Sequence, residues 1–372
     1  MTGLEGVPMT TDSTPTIVDS DGHIIESIEE MAEFLDPPIR DTALGTGGIG
    51  TIIELSKTSL FGTLDGLHFT NVVPSDNATA RRERINASGH RMGSAQDWQA
   101  LLDKSGMAET VVYTTEGLQV GKLRNRDYVV GLCRGYNDYV ADCYQRYDSR
   151  IHPIALIPMQ DPVRAALELR RAVKELGLLG AMLPSTGLDL HLGHEYYWPV
   201  YQEASDLGCI LAVHGGSNVG IGIDSFTSLT TSGIVHHPVP LLYAFVSFIY
   251  DGVFERFPDM RVAFLEGGCA WVALALDRIQ RAAEFSGAPP RPAEEYLAGG
   301  NILIGCEGVD PTLPYLAGRV GIEPFAYSSD YPHEVDFKSA MDEIEETVND
   351  DGLSDDQKAA VLGGNAKRFY RL

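Results

Sequence analysis

Short apolar runs alternate with longer amphipathic stretches along most of this chain. The apolar runs predict eight strands, at residues 16–18, 110–113, 153–158, 180–183, 209–213, 262–265, 302–304 and 325–328. Between them the spacing of apolar positions predicts helices at residues 96–105, 127–147, 163–175, 196–206 and 241–257, with further helices between and after the last two strands. Strands that alternate with helices are typical of a parallel sheet. Eight such units predict an α/β fold, a (β/α)8 TIM-like barrel.

Two segments depart from this alternation. Residues 41–95 are rich in Gly, Ser, Thr and Asn and predict a long insertion after the first strand, in which Phe61, His68 and Phe69 favour a lid or a substrate wall. Residues 1–15 are polar and predict a disordered leader. The remainder, residues 16–372, is expected to be a single metal-dependent barrel domain that carries the insertion.

Composition narrows the classes of function. The 372 residues are 44% hydrophobic and carry a net charge of -24, which opposes binding to nucleic acid. We identify no apolar run of about 18 residues and no secretory signal, so we expect no membrane-spanning helix and a cytoplasmic enzyme with a small-molecule substrate. The five cysteines are odd in number and never spaced as Cys-x-x-Cys, which argues against a disulfide framework and against a zinc knuckle.

Potential metal ligands follow the first strand directly. Asp21, His23 and Glu26 lie within six residues of one another. Residues i and i+2 of a strand point to the same face, so the carboxylate of Asp21 and the imidazole of His23 are expected to converge. A strand end that presents both indicates a site for a hard or borderline divalent ion.

Polar residues also follow the later strands. Active sites of (β/α)8 barrels lie at the carboxyl ends of the strands. His214 follows the fifth strand, Glu266 the sixth, Glu307 the seventh and Asp330 the eighth. Singly, such a histidine is usually a hydrogen-bonded structural residue and such an aspartate a turn residue. Their joint position at one mouth predicts a metal site that contains Asp21, His23, His214 and Asp330.

This constellation resembles the amidohydrolase superfamily, and within it the amidohydrolase-related branch that contains aminocarboxymuconate-semialdehyde decarboxylase. The resemblance runs from about residue 16 to residue 372 and rests on Leu-Ile-Pro-Met-Gln at 156–160, Val-His-Gly at 213–215, Gly-Val-Phe-Glu-Arg-Phe-Pro at 252–258, Ser-Asp-Tyr-Pro at 329–332 and Gly-Asn-Ala at 364–366. It implies a distorted (β/α)8 barrel with one or two metal ions in its mouth. It also implies that Asp21 and His23 are the first-strand ligands, His214 the fifth-strand ligand and Asp330 the eighth-strand aspartate.

The chain departs from that branch in two places. The branch usually begins with His-x-His or Glu-x-His, whereas here the pair is Asp-x-His. The branch also has a catalytic imidazole after the sixth strand, where this chain has Glu266. Because a carboxylate replaces the acid/base imidazole, the second departure argues against a mononuclear decarboxylase mechanism.

The mouth offers more ligands than one ion can use. The additional candidates are Glu26, His237, Glu266, Glu307 and His333. They either orient the primary ligands by hydrogen bonds or hold a second ion. A second ion is the favoured interpretation for the set Glu26, His237 and Glu266. We expect His333 to be a hydrogen-bond partner of a ligand, and Glu307 to be a surface charge or another such partner. Carboxylates and imidazoles without thiolates suit iron, manganese or zinc.

These residues support three hypotheses about function. The Asp-x-His-x-x-Glu opening and the Glu-Gly-Gly-Cys segment at 266–269 resemble a subgroup of nonheme diiron monooxygenases from diterpenoid antibiotic biosynthesis. The main hypothesis is therefore a diiron monooxygenase that takes electrons from a donor and hydroxylates a bulky apolar molecule, such as a terpenoid acid or its thioester. Its two irons would be held by Asp21, His23, Glu26, His214, His237, Glu266 and Asp330.

The alternative is a redox-neutral hydrolase or decarboxylase of a small carboxylic acid, with one zinc or manganese ion. Glu266 or Asp330 would then move protons. The third hypothesis is a barrel without catalytic activity. The sequence leaves open whether the protein forms a homodimer. Arg81, Arg82, Arg84 and Arg91 are either a basic patch for a coenzyme A thioester or a solvated face, and the solvated face is favoured.

Overall fold

The strands form a parallel barrel. The computed structural model describes residues 15–43, 92–217, 220–226, 229–308, 310–333 and 335–372. Within these ranges the strand segments are β1 (Val18–Ile24), β2 (Glu109–Thr114), β3 (Ile151–Pro153), β4 (Ala155–Leu156), β5 (Gly180–Pro184), β6 (Ile210–His214), β7 (Arg261–Phe264), β8 (Ile302–Cys306) and β9 (Phe325–Tyr327). The predicted α/β fold of the (β/α)8 class is confirmed.

The strands follow one another around the barrel in chain order. One parallel sheet has the order β1-β2-β3 and the other the order β4-β5-β6-β7-β8-β9. Only Ile154 separates β3 from β4, so the two segments together occupy one position of the barrel. The ring closes where the backbone N–H of His23 donates to the carbonyl of Tyr331 over 2.7 Å and that of Asp330 donates to the carbonyl of Asp21 over 2.8 Å. The first strand is thereby joined to the segment that follows the last one.

The helices cover the outside of the strands. They are α1 (Ile28–Glu33), α2 (Pro37–Ala43), α3 (Ala95–Ser105), α4 (Arg126–Val140), α5 (Pro162–Lys174), α6 (Trp198–Leu207), α7 (Leu229–His236), α8 (Pro238–Tyr250), α9 (Val253–Arg256), α10 (Ala270–Phe285), α11 (Ala293–Ala298), α12 (Leu313–Val320), α13 (Phe337–Val348), α14 (Asp355–Ala359) and α15 (Asn365–Tyr370). Short 3-10 segments lie at Glu116–Lys122, Glu195–Tyr197 and Ile223–Ser225.

Local signals explain most helix boundaries. The hydroxyl of Ser94 caps α3, which ends at Gly106 in the left-handed conformation (φ 74°). Asp161 caps α5, and a proline occupies its first turn. The predicted helix at 241–257 is divided in the structure, because Gly252 adopts a left-handed conformation (φ 73°) between α8 and α9.

The predicted segments outside the barrel are only partly covered. Residues 44–91 lie outside the described residues, and with them most of the predicted insertion, its aromatic residues and the arginines at 81–91. Residues 1–14 lie outside them as well. The leader, the lid and the single-domain boundaries therefore stay predictions.

One helical stretch of the described residues, Thr231–Tyr250, is long and apolar enough to cross a membrane by length and composition. This stretch differs from the expectation that the sequence contains no apolar run of that length. One such stretch is weak evidence for a membrane span, because core helices of soluble proteins pass the same test. Within it Leu241, Phe245 and Phe248 are fully buried against the barrel.

Candidate metal centre

The four primary ligand candidates meet at the carboxyl ends of β1, β6 and β9. Oδ1 of Asp21 lies 3.0 Å from Nε2 of His214 and 3.5 Å from Nε2 of His23. Oδ1 of Asp330 lies 3.4 Å from the same nitrogen of His23. Asp21, His23 and His214 are fully buried and Asp330 nearly so. Residues that are about 190 and 310 positions apart along the chain thus share one small volume.

A second group adjoins the first one. Oε2 of Glu266 lies 3.2 Å from Nδ1 of His214 and 3.1 Å from Nδ1 of His237. Nδ1 of His333 lies 2.9 Å from Oδ1 of Asp330 and 3.6 Å from Oε1 of Glu266. Two overlapping sets of side chains have ligand atoms that all lie within 4.8 Å of one another: Asp21, His23 and His214 in one, and His23, Glu266, Asp330 and His333 in the other.

The backbone fixes the orientation of two imidazoles. Nδ1 of His23 lies 3.1 Å from the carbonyl oxygen of Thr114, and Nδ1 of His214 lies 3.1 Å from that of Gly215. A carbonyl can only accept a hydrogen bond, so each Nδ1 carries a proton. The Nε2 atoms of both rings therefore face the centre, which is the arrangement that histidine ligands of metal ions usually show.

Asp19 holds the strand ends in place. Its carboxylate accepts hydrogen bonds from the backbone N–H of Asp21 at 3.1 Å, from the N–H of Ser329 at 3.0 Å and from the hydroxyl of Ser329 at 2.8 Å. It also accepts from the hydroxyl of Thr110 at 3.2 Å. Sequence reasoning did not single out Asp19. The signal was present, because Asp19 and Asp21 alternate along β1 as Asp21 and His23 do.

The donor set fits a divalent metal ion. Nε2 of His23 is buried and makes no hydrogen bond within the described part of the chain. A buried polar atom without a partner is costly, and a cation would satisfy the lone pair of this nitrogen. The set contains nitrogen and oxygen only, which suits manganese, zinc or iron.

Burial and mutual charge shift the pKa values of these groups. Burial raises the pKa of Asp21 and lowers that of His23 well below its usual value. Burial, with the nearby carboxylate of Glu266, raises the pKa of Asp330 to about 6. Burial alone would lower the pKa of His214, but the carboxylates of Asp21 and Glu266 outweigh it and raise that pKa well above its usual value. Protons on these groups thus offset the negative charge of the carboxylates in the metal-free protein. A bound divalent cation would displace those protons.

The backbone at two of these residues is strained. Glu266 and Asp330 adopt left-handed conformations, with φ of 62° and 49°. Such values are unusual for residues other than glycine and are found at functional sites. Gly215 is required for a related reason, because a Cβ atom there would collide with the carboxylate of Glu266 and lie 2.5 Å from Nδ1 of His237.

Glu26 does not join either group. Its Oε2 accepts from the backbone N–H groups of Thr115 at 3.2 Å and Glu116 at 3.0 Å, and its Oε1 accepts from the hydroxyl of Thr114. Glu26 therefore ties the end of β1 to the turn after β2, and the structure does not bring it to the position of a ligand for a second ion. Glu307 is exposed and accepts from the N–H of Gly268 at 3.2 Å.

The comparisons with known proteins agree on the family. The family model described as Amidohydrolase matches residues 104–372. The 2-amino-3-carboxymuconate-6-semialdehyde decarboxylase of Dictyostelium discoideum is 26% identical over 267 residues, which are 70% of this chain and 72% of the relative. The gamma-resorcylate decarboxylase of a Polaromonas species is 23% identical over 288 residues, which are 73% of this chain and 86% of the relative.

Solved structures share the fold. The manganese complex of 5-carboxyvanillate decarboxylase from Novosphingobium aromaticivorans has a TM-score of 0.67 and 20% identity, and the match covers 96% of each chain. An amidohydrolase from Mycobacterium avium subsp. paratuberculosis has a TM-score of 0.72 and 18% identity, with 96% of this chain and 100% of the other covered.

These relatives correct the main functional hypothesis. The expectation of a diiron monooxygenase from antibiotic biosynthesis, with an electron donor and a bulky apolar substrate, is wrong. The curated relatives that match most of the chain are decarboxylases, and they support the alternative hypothesis instead. These relatives lend no support to a pair of irons either. Carboxylates and imidazoles serve both kinds of chemistry, so the residue types alone did not separate them.

Proposed function

Because the chain belongs to the amidohydrolase family, we propose that it is a metal-dependent decarboxylase of a small aromatic or unsaturated carboxylic acid. The observation that carries the proposal is Nε2 of His23, which is buried without a hydrogen-bond partner within the described residues and lies between the carboxylates of Asp21 and Asp330. Metal-dependent relatives that remove CO2 from such acids supply the class of reaction.

Asp21, His23, His214 and Asp330 would hold one divalent ion, with manganese or zinc favoured over iron. When bound, the ion would act as a Lewis acid that binds substrate oxygens and stabilises negative charge in the transition state. Burial of these four residues excludes water from that side of the substrate, which strengthens every electrostatic interaction there.

Decarboxylation needs no oxidant. The bond between the carboxylate carbon and the substrate carbon breaks, CO2 leaves, and the electron pair left on the substrate carbon takes up one proton. We assign the movement of that proton to Glu266 and Asp330, each of which lies beside an imidazole. Burial alone would lower the pKa values of His237 and His333, but the neighbouring carboxylates raise both, the latter to about 10. The pair of Asp330 and His333 therefore holds a proton near neutral pH at the mouth of the barrel.

The test combines metal analysis with CO2 release. Protein grown with manganese should contain about one ion per chain and should release CO2 from at least one member of a panel that includes gamma-resorcylate and 5-carboxyvanillate, without consuming oxygen. Glu266→Gln should keep its ion and lose turnover by roughly 100-fold or more, the range expected for removal of a general acid or base.

Glu109→Gln is the matched control. Glu109 begins β2, at the opposite end of the barrel, where it pairs with His152 over 2.8 Å. This variant should retain wild-type turnover. Two ions per chain together with no CO2 release from any panel member would contradict the proposal.

A further inference from the structure

Gln119 is a buried amide without a hydrogen-bond partner among the residues that the structure describes. The residue is 1% exposed, and neither its Nε2 nor its Oε1 makes a hydrogen bond within the described part of the chain. A side-chain amide offers two donors and one acceptor oxygen, so leaving all of them unpaired in the interior is unfavourable. An unpaired buried group calls for an explanation, and binding a ligand is one.

The segment that carries Gln119 is fixed to the metal centre. It is the 3-10 segment Glu116–Lys122, which follows β2 at the same end of the barrel. At its start the hydroxyl of Thr115 lies 2.8 Å from Nε2 of His333. At its end Nε2 of Gln160 donates to the carbonyls of Val120 at 2.6 Å and Leu123 at 3.0 Å. Gln119 is therefore held on a rigid element beside the ligands.

A second polar group that makes no hydrogen bond in the described ranges lies just after β5, at the same end of the barrel. The hydroxyl of Ser185 is buried and makes no hydrogen bond within the described residues. Its backbone N–H donates to the carbonyl of His214 over 3.1 Å, which places it next to a ligand candidate. A Cβ atom on Gly216 would lie 3.1 Å from Oγ1 of Thr186, 3.5 Å from the carbonyl oxygen of Leu118 and 3.7 Å from Oγ of Ser185. The hydroxyl of Ser185 and the backbone next to Gln119 thus both lie near Gly216, two residues after His214.

We propose that Gln119 and Ser185 form a neutral hydrogen-bonding subsite that binds an uncharged oxygen substituent of the substrate, a hydroxyl or a carbonyl, beside the carboxylate that is removed. This inference rests on the proposed decarboxylase function and deepens it. An amide and a hydroxyl offer donors and acceptors without positive charge, so they suit a neutral oxygen better than a second carboxylate. A site built to bond a hydroxyl discriminates strongly against the analogue that lacks it, because its own polar groups then stay unpaired.

The test measures binding, so it does not depend on turnover. Manganese-loaded protein is titrated with benzoate and with 2-, 3- and 4-hydroxybenzoate in a calorimeter, and the affinity of each hydroxy acid is divided by that of benzoate. At least one of these ratios should fall by about tenfold in Gln119→Leu, with unchanged manganese content. Because the same ligand is compared between two proteins, any preference that arises from chelation of the metal cancels.

Gln145→Leu is the control, since Gln145 also has an unpaired buried Oε1 but lies on the outer π-helical segment Ala141–Gln145. It should leave all ratios unchanged. Ser185→Ala should lower the same ratio as Gln119→Leu, by a smaller factor. If Gln119→Leu does not fold, the ratio measured for Ser185→Ala decides the test.

The two proposals fail in different ways. If the ratios stay unchanged in both variants, the proposed subsite is wrong, even if the enzyme releases CO2. This is the result expected if Gln119 binds only an ordered water. A ratio that falls in Gln119→Leu while no panel acid is decarboxylated supports the subsite and contradicts the proposed reaction.

Discussion

At the scale of single residues, the candidate centre depends on which nitrogen of each imidazole is bonded to the backbone. His23 and His214 each use Nδ1 on a backbone carbonyl, so their Nε2 atoms converge on Asp21. This convergence could be predicted from the alternation of residues along β1 and from the strand-end position of His214. Glu26 could not be placed in the same way. It lies beyond the end of β1, where the period of two no longer determines direction.

The first prediction concerns His214. His214→Ala should lose bound manganese and turnover while the barrel stays folded, because a ligand at a strand end contributes its bonds to the metal centre. Manganese content by elemental analysis and helix content by far-ultraviolet circular dichroism check the two parts. The removal leaves Asp21 without its imidazole partner at 3.0 Å, so we also expect a stability loss of about 1–3 kcal/mol.

His152→Ala is the matched control for this variant. His152 lies on β3 and pairs with Glu109 over 2.8 Å, away from the metal centre. It should keep its manganese. Equal manganese content in His214→Ala and wild type would remove His214 from the ligand set.

At the scale of elements, the site depends on turns that join neighbouring strands. Glu26 accepts two backbone N–H groups and one hydroxyl from the turn after β2, and this turn begins the segment that carries Gln119. Strands and helices were predictable because each follows from a local hydrophobic period. The contact between Glu26 and residues 114–116 joins positions about 90 residues apart, and no local pattern encodes it.

The second prediction separates this structural role from a ligand role. Burial raises the pKa of Glu26 to about 7 from a usual value near 4.5. The folded protein therefore binds a proton more tightly than the unfolded chain, and this residue's contribution to stability falls as the pH rises from about 4.5 to 7. Glu26→Gln keeps an acceptor for the two N–H groups and removes the titration.

Relative to wild type, Glu26→Gln should therefore gain stability between pH 5 and pH 8, by at most about 3 kcal/mol. Denaturant unfolding at several pH values measures this difference. The variant should also retain one manganese ion per chain. Loss of the ion in Glu26→Gln, or a stability difference that does not change with pH, would contradict the structural role.

At the scale of the whole molecule, the fold was accessible from sequence and the reaction was not. Eight apolar runs separated by amphipathic helices leave few architectures that bury every run, so the barrel followed from the pattern. The choice between oxidation and decarboxylation depends on how many ions the mouth holds and on what substrate it accepts. Both depend on contacts between residues from different strands, such as that of Glu26 with the turn after β2 and that of Glu266 with His214.

The last prediction links metal binding to the stability of the whole barrel. An ion that binds only the folded protein stabilises it by about 2.7 kcal/mol when its free concentration is one hundred times its Kd. Adding manganese to chelator-treated protein should therefore raise the melting temperature in differential scanning calorimetry. His214→Ala should show a much smaller rise.

The size of this rise should depend on pH in a defined direction. Burial and the carboxylate of Glu266 raise the pKa of Asp330 to about 6 in the metal-free protein, so the protonated form stabilises the metal-free fold at low pH and this contribution is lost as the pH rises through 6. Manganese requires the ionised carboxylate and so binds more weakly below that pH. Both effects act in the same sense, so the difference in melting temperature between manganese-loaded and metal-free protein should be small at pH 5 and large at pH 7.5. A difference that is equal at both pH values would show that the ion does not bind at Asp330.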